Sequence, residues 1–325
     1  MNGPHLLAVA PTPFITVQDT GRRGWQRFGV SAAGAMDIES LAAANALVGN
    51  PPDSPALEFA YAGGEWQVNA DSCRLAVTGG AFRCRLGDRV LEAWHSATAH
   101  RGEPLTIGSA PDVVWGYLAV AGGIALPDQL GSLATHTGSG IGGLHGRAIL
   151  PGDAVPLAAR RAPGGDERAL APRTRCSKPF RVVLGPQDDF FTAEAIELFL
   201  SAEFSISPRF DRLGYRLVGP VLDHAKGFNI ISDGVVPGCV QVPGDGQPIV
   251  LMRDCQPPGG YPKIATVVTA DLDRLAQSRA GTVVHFRQVG IVEAQLLRRR
   301  LLARMADLPN RLMAAGPRQP TLAGR

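Results

Sequence analysis

The sequence is short of charge and of aromatic rings. Asp, Glu, Lys and Arg make up 19% of its 325 residues, and Phe, Trp and Tyr 6%. An average domain carries about 25% charged residues. The formal charge of +3 supplies no basic field of the kind that gathers nucleic acid, which is therefore not expected as a partner. Lysine is almost missing: Lys178, Lys226 and Lys263 stand in a basic set otherwise made of arginine. The high Ala and Gly content fits GC-rich coding bias better than anion recognition, and it makes each retained lysine conspicuous. No run approaches about 18 consecutive apolar residues, so no membrane span is expected. Cysteine is scarce too. Cys73, Cys84, Cys176, Cys239 and Cys255 form no CxxC pair and no zinc spacing, and their number is odd. The N-terminus has no basic region followed by a long apolar one. Reduced, mostly buried thiols in a cytoplasmic protein are the expectation.

Metal and nucleophile signatures are also lacking. His95, His100, His136, His145, His224 and His285 are scattered, with no HExxH or paired ligand spacing, so no metal site is predicted. There is no GxSxG elbow and no GxxxxGK[ST] loop. Gly138 to Gly143 satisfies GxGxxG, but turn residues follow it where a dinucleotide site needs a helix. A backbone anion cradle remains open for that run.

What the chain has in plenty is turn residues: 39 glycines and 26 prolines, a fifth of the sequence, with no collagen period. The apolar fraction of 45% is enough to bury a core. Residues 6–10 and 15–17 read as short strands broken by Pro11 and Pro13. Asp37 is placed to cap a helix reaching Val48, with Leu41, Ala44, Ala46 and Leu47 on its apolar face and Gly49-Asn50 as its stop. Strand patterns then recur, at 66–68, 74–77, 82–86 and 114–120 among others. Residues 158–178 lose all apolar period and read as a linker. Beyond it come strands at 180–184, 217–218, 229–232, 238–242, 248–252 and 282–286, and helices at 192–200 and 270–277. An Arg-rich amphipathic helix spans 291–308, where Pro309 should end it. A parallel α/β sheet needs a helix between most strands, and those helices are absent. The prediction is a mainly β protein with a few helices, in two barrel-like halves: 1–157, the linker 158–178, 179–290, and a helix with tail at 291–325.

The chemistry-bearing residues cluster among the turns. One group is Gln18, Asp19 and Arg22, followed by Met36 and Asp37. A second holds Asp211 and Arg212. A third holds Gln241, Gln247, Tyr261 and Lys263. Glutamines and an aspartate beside tight turns can hold an amide or carboxylate without a metal. A lysine can meet a developing oxyanion or a phosphoryl oxygen. On spacing alone, the Asp19–Arg22 and Asp211–Arg212 pairs read equally well as surface or capping pairs.

The ordered set of clusters is more specific than any one of them. Val17-Gln18-Asp19 with Gly21-Arg22, Gly34-Ala35-Met36-Asp37, Leu47-Val48-Gly49-Asn50, Leu57-Glu58 and Tyr117 to Gly123 come first. Leu130-Gly131-Ser132, Gly142-Gly143, Gly146-Arg147, Gly152-Asp153, Gly185-Pro186-Gln187 and Arg212-Leu213-Gly214 continue it. Gln241-Val242-Pro243, Gly246-Gln247-Pro248 and Gly259-Gly260-Tyr261-Pro262-Lys263 complete it. Across roughly residues 6–286 the chain resembles the biotin-dependent carboxyltransferase family. That family includes the C-type subunit of bacterial 5-oxoprolinase, the allophanate hydrolase subunit 2 proteins and the carboxyltransferase region of urea carboxylase.

The resemblance implies two cyclophilin-like β-barrel halves, a subunit-B-like companion chain and a further 5-oxoprolinase subunit. It implies a small amide or lactam substrate, with ATP and Mg2+ as cofactors, held either directly or through the companion. ATP would activate the lactam oxygen of 5-oxoproline on the way to glutamate. Under this resemblance, Lys263, Arg212 and Gln241 are the catalytic candidates. Gln18, Asp19, Arg22, Met36, Asp37, Gln247 and Tyr261 are the substrate-binding candidates. Two alternatives stand beside this one. A carboxyltransferase would move a carboxyl group from carboxybiotin to urea or a related amide, and biotin enters under that alternative alone. A non-catalytic partner would bind and antagonise a kinase-inhibitor protein. The chain departs from the family pattern at Pro257-Pro258, where paired threonines are usual, and at Arg253, where a small residue is expected.

Overall fold

The computed structural model describes residues 3–173 and 177–315. Cys176 and the tail beyond 315 lie outside the described residues. The chain falls into two compact units, one of residues 3–22, 37–173 and 304–315, the other of 23–36 and 177–303.

The first unit is built on two antiparallel sheets. One has six strands in the order Ala154–Pro156, His5–Ala10, Gly64–Asn69, Pro104–Ile107, Cys84–Leu86 and Arg89–Leu91. The other has five, in the order Thr16–Gln18, Ala56–Ala60, Trp115–Val120, Ser72–Thr78 and Ser96–His100. Strand Gly64–Asn69 alternates, burying Trp66 and Val68, as a sheet with one covered face requires. Strand Trp115–Val120 is buried at every position, because helix α1 (Ile38–Val48) packs on it and on Ser72–Thr78. That is why the run WGYLAV reads as continuously apolar. Leu6, Trp66, Val68 and Leu105 of one sheet share a core with Val17, Leu57, Leu75, Val77 and Leu118 of the other.

Helix α1 starts and stops where the sequence predicts. The Asp37 carboxylate accepts from the Ser40 amide at 3.0 Å, and Gly49 closes the helix at φ 81°, a left-handed cap suited to glycine. Residues 39–48 are all buried. An alanine-rich helix that is covered all round needs no amphipathic stripe. Its start is tied to the sheet by Tyr117, whose hydroxyl accepts from the Asp37 amide at 2.7 Å and donates to Glu58 Oε2 at 2.7 Å. Burial first, then the Glu58 carboxylate, pushes the Tyr117 phenol well above its ordinary value, so it stays a donor. Arg173 reaches Asp37 at 3.3 Å and Glu39 at 2.8 Å, and Arg304 reaches Glu39 at 3.1 Å.

The second unit holds a nearly closed barrel. Its eight-stranded sheet runs Val283–Val284, Phe204–Phe210, Gly214–Val218, Ile249–Leu251, Cys239–Gln241, Lys263–Val267, Phe180–Leu184 and Phe286–Gln288. The two end strands are separated in sequence by His285 alone, so the chain steps from one edge of the sheet to the other. The pairing of Phe180–Leu184 with Phe286–Gln288 is parallel. Helix α2 (Ala193–Ser201), capped by Thr192 Oγ1 on the Ala195 amide, carries Phe199 onto Phe286 with ring centroids 4.5 Å apart. Helix α3 (Thr269–Ala276) is fixed to Phe180–Leu184 by the paired carboxylate oxygens of Asp271 on the Arg181 guanidinium. Helix α4 (Ile291–Ala306) runs as expected, and Pro309 sits in the 3-10 turn Leu308–Arg311 beyond it.

The structure corrects several readings. Residues 229–232 form no strand: Ile231 is 94% exposed, and the bond from the Ile230 amide to the Gly260 carbonyl at 2.9 Å is not continued into a ladder. The pairing there begins at Asp233–Gly234 against Pro258–Gly259. The strand expected at 282–286 is two strands broken at His285. Residues 138–146 make a series of turns with no helix after them, in line with the sequence reading that no dinucleotide fingerprint stands there. Within the stretch of 158–173, Arg168–Ala169 pairs with Met313–Ala314. Cys73, Cys84, Cys239 and Cys255 are buried free thiols, and burial pushes Cys73, Cys84 and Cys255 up to about 12. Among the described residues no helix is long and apolar enough to cross a membrane.

Tyr117→Phe tests the link between α1 and the sheet. Removing a buried hydroxyl from two partners should lower unfolding stability by about 1–3 kcal/mol in urea titration. An unchanged midpoint would show that the link contributes nothing.

Candidate functional site

In the second unit, strand Cys239–Gln241 pairs antiparallel with Lys263–Val267, and Gln241 lies directly opposite Lys263. Directly paired residues project from the same face of a sheet. Lys263 is 1% exposed, and an ammonium so covered must be paired. Its Nζ donates to Asp233 Oδ2 at 2.6 Å and to the Gly234 carbonyl at 3.2 Å. Gln187 ties the pair from a second strand end: its Nε2 donates to Asp233 Oδ2 at 3.2 Å, and its Oε1 accepts from the Lys263 amide at 3.3 Å. Lys263, then Gln187, then the Gly234 amide hold the Asp233 carboxyl below the usual carboxylate range. The Asp233 side chain is 51% exposed. A buried lysine therefore delivers its charge to an acid at the surface.

Gln241 is buried and donates from Nε2 to the Tyr261 carbonyl at 3.3 Å. Gly259 makes room for it: a Cβ there would lie 2.4 Å from that nitrogen. Pro258-Gly259 pairs with Asp233-Gly234, and the Pro257 carbonyl accepts from the Val235 amide at 2.9 Å. The two prolines that break the family pattern thus belong to the ladder carrying the acid of the lysine pair. Arg253, the other departure, has its Nη2 3.6 Å from Asp273 Oδ1 in α3. The Tyr261 ring is exposed.

The remaining candidates of this unit are held elsewhere. Arg212 grips Asp254 with two nitrogens, at 2.9 and 2.7 Å, and donates to the Gly34 carbonyl at 2.8 Å. Gln247 uses both ends of its amide on the backbone of Gly219, at 3.0 and 3.1 Å. Met36 is fully buried.

The first unit gathers Gln18, Asp19 and Arg22 around the loop 129–142. Gln18 Nε2 donates to Thr16 Oγ1 and to the Thr135 carbonyl, both at 2.9 Å. The Asp19 carboxylate accepts from the Gly21 amide, the Leu133 amide and the Ser132 hydroxyl, each as close as 2.7 Å. Arg22, fully buried, donates to the Ala134 carbonyl at 2.6 Å and the Gln129 carbonyl at 3.3 Å. Gly142 lies against this pair at φ +77°, where a Cβ would fall 2.1 Å from the Ala134 oxygen. Asp37 stands apart as the cap of α1. The candidates therefore divide between the two units; in the second, Gln241 is paired with Lys263 across the sheet and hydrogen-bonded to the Tyr261 carbonyl.

Sequence reasoning missed Asp233 and Gln187. A lysine destined for burial demands a carboxylate, and Asp233 lies in the turn-rich stretch just upstream of Gln241. Gln187 closes the Gly185-Pro186-Gln187 motif, whose pattern alone suggests no role for it.

The family model of the carboxyltransferase domain, subdomain A and B, matches residues 28–288. The chain belongs to this carboxyltransferase family. This carboxyltransferase-family chain is 36% identical over 281 residues to the C-type subunit of 5-oxoprolinase from Escherichia coli, covering 86% of this chain and 90% of that protein. It is 37% identical over 289 residues to the C-type subunit of 5-oxoprolinase from Haemophilus influenzae, covering 88% and 91%. The crystal structure of Kluyveromyces lactis urea carboxylase superposes with a TM-score of 0.86 at 26% identity, over 99% of this chain and 31% of that one. The chain thus spans about a third of that longer protein.

The lysine pair sets a titration. Lys263→Met should raise the Asp233 carboxyl back toward its ordinary value of 3.8, read by carbon NMR. In the native protein, any stability the pair contributes is present above that value and is lost as pH falls through the lowered one. An Asp233 titration unmoved by the substitution would refute the pairing.

Proposed function

We propose that the chain is the C-type subunit of an ATP-dependent 5-oxoprolinase and that, with a subunit-B-like companion, it holds the lactam of 5-oxoproline for cleavage to glutamate. The observation that carries this reading is its 36–37% identity to two proteins named as that subunit of 5-oxoprolinase, over about nine-tenths of their length. Identity to the urea carboxylase structure is 26%.

The Gln241–Lys263 pair suits the substrate. A lactam presents one N–H donor and one carbonyl acceptor on a single edge. Gln241 spends its Nε2 on Tyr261 and keeps a carbonyl oxygen to accept the lactam N–H. Lys263 has three N–H donors, of which two meet Asp233 and Gly234; the third meets the lactam oxygen as negative charge develops there. Asp233 holds that ammonium in place. Tyr261 offers an exposed ring beside the pair. In this reading Arg212, Gln247, Gln18, Asp19 and Arg22 are positioning residues, since each holds backbone or a buried acid that shapes the loops. Met36 and Asp37 act in the same way, one by packing and the other by capping α1.

ATP, the second substrate, supplies the phosphoryl group that activates the lactam oxygen. Among the described residues no cluster of three or more His, Cys, Asp or Glu side chains is arranged to hold a metal ion. A carboxyltransferase acting from carboxybiotin on urea or a related amide is the second reading, favoured by the superposition on urea carboxylase.

Reconstitution with the companion and the remaining subunit, assayed for 5-oxoproline-dependent ADP release, separates the two. Turnover is expected with 5-oxoproline; carboxylation of urea from carboxybiotin without it would overturn the reading. Lys263→Ala and Gln241→Ala should each lower kcat by about 10²-fold or more with little change in melting temperature. Active variants, or variants that merely unfold, would remove the site assignment.

A further inference from the structure

Helix α4 contributes no residue to the site described above, and of its 16 residues Leu301 alone is buried. Ala294, Leu297 and Met305 are half-buried. They precede and follow Leu301 at spacings of three and four residues, which is one face of an α-helix. That face seats the helix on the protein. The opposite face repeats the pattern in the open. Val292, Leu296, Arg299 and Ala303 follow one another at four, three and four residues, and all are exposed. Val292 is 82% exposed and Leu296 44%. A lone exposed valine needs no explanation. An apolar line at helical spacing, on a helix whose other side is already seated, is the pattern of a helix with a second partner.

Charge says what that partner carries. Arg304 is held by Glu39 at 3.1 Å, and Glu293 by Arg287 at 2.9 Å. Arg298, Arg299 and Arg300 are exposed, and among the described residues their guanidinium groups make no ion pair or hydrogen bond. Arg299 falls within the apolar line and Arg300 beside it. The occupant of this face therefore brings apolar side chains and carboxylates together. A second copy of the chain does not, since two α4 helices would set arginine against arginine, and like charges across an interface cost affinity. Residues 316–325 do not either: they hold Arg318 and Arg325 and no acid. A lipid surface needs an apolar side chain where Arg299 interrupts the line. A protein can place a carboxylate there.

We propose that this outer face of α4 is the docking surface for the subunit-B-like companion, which meets Val292 and Leu296 with apolar side chains and Arg299 and Arg300 with carboxylates. The proposal rests on the functional reading above in naming that companion as the occupant.

Isothermal titration of the full chain with the purified companion tests it. Saturable binding is expected, weakening as NaCl rises from about 50 to about 300 mM. Val292→Glu with Leu296→Glu should weaken binding about 100-fold or more, and Arg299→Glu about tenfold, with melting temperatures near that of the native chain. Arg83→Glu, the same charge change at an exposed arginine of the first unit, should leave the affinity unchanged. If the double variant fails to fold, Arg299→Glu decides alone. No binding of the companion, affinity unchanged in the α4 variants, or an equal loss in Arg83→Glu would each overturn the proposal. So would binding to phosphatidylglycerol vesicles that the α4 variants lose while they keep the companion. The 5-oxoproline assay of the reconstituted complex separates this proposal from the functional reading. A complex that needs α4 but shows no turnover would overturn the substrate alone. Turnover with affinity unchanged in the α4 variants would overturn the docking surface alone.

Discussion

The ammonium of Lys263 cannot be buried in this barrel without an acid, and much of the second unit's local architecture follows from that requirement. Asp233 has no place in the eight-stranded sheet. It is carried to the lysine on a two-residue ladder against Pro258-Gly259, and Gln187 binds acid and lysine backbone together. Three separate stretches of chain thus converge on one charge. Because Asp233 remains half exposed, the ion pair keeps one foot in water, and the desolvation cost that makes fully buried pairs unfavourable is reduced.

The first unit uses buried polar groups in another way. Gln18, Asp19 and Arg22 engage backbone groups and hydroxyls of 16–21 and 129–135. Each contact fixes loop backbone that no sheet ladder reaches. Such loops stay ordered because side chains supply the partners their peptide groups lack. Gly142 belongs to the same design, since the loop approaches Arg22 and Ala134 more closely than any Cβ allows.

Much of this could be read from the sequence where a physical rule is local. Asp37 and Gly49 mark α1 because capping depends on a few adjacent residues, and Thr192 marks α2 for the same reason. Strand 180–184 was legible in the apolar run FRVVL. Residues 229–232 misled because a pair of isoleucines has the pattern of a strand whether or not a neighbour exists to pair with it. The site was legible only in part. Gln241 and Lys263 stand out as a buried-type amide and a rare lysine, but their direct opposition depends on a β-bulge between Val240 and Gln241 that no local pattern announces. Asp233 and Gln187 depend on contacts 30 and 76 residues away from Lys263 in sequence, beyond the range of any periodicity.

The single residue His285 between the two edge strands of the barrel has a further consequence for how the protein is made. Phe286–Gln288 must lie parallel to Phe180–Leu184, so the sheet cannot close until about a hundred residues of intervening chain have left the ribosome. The first unit waits longer, since Arg168–Ala169 pairs with Met313–Ala314. Such distant pairings slow folding and leave strand edges open during synthesis. For this protein the edge at Arg168–Ala169 stays open until Met313–Ala314 has been made.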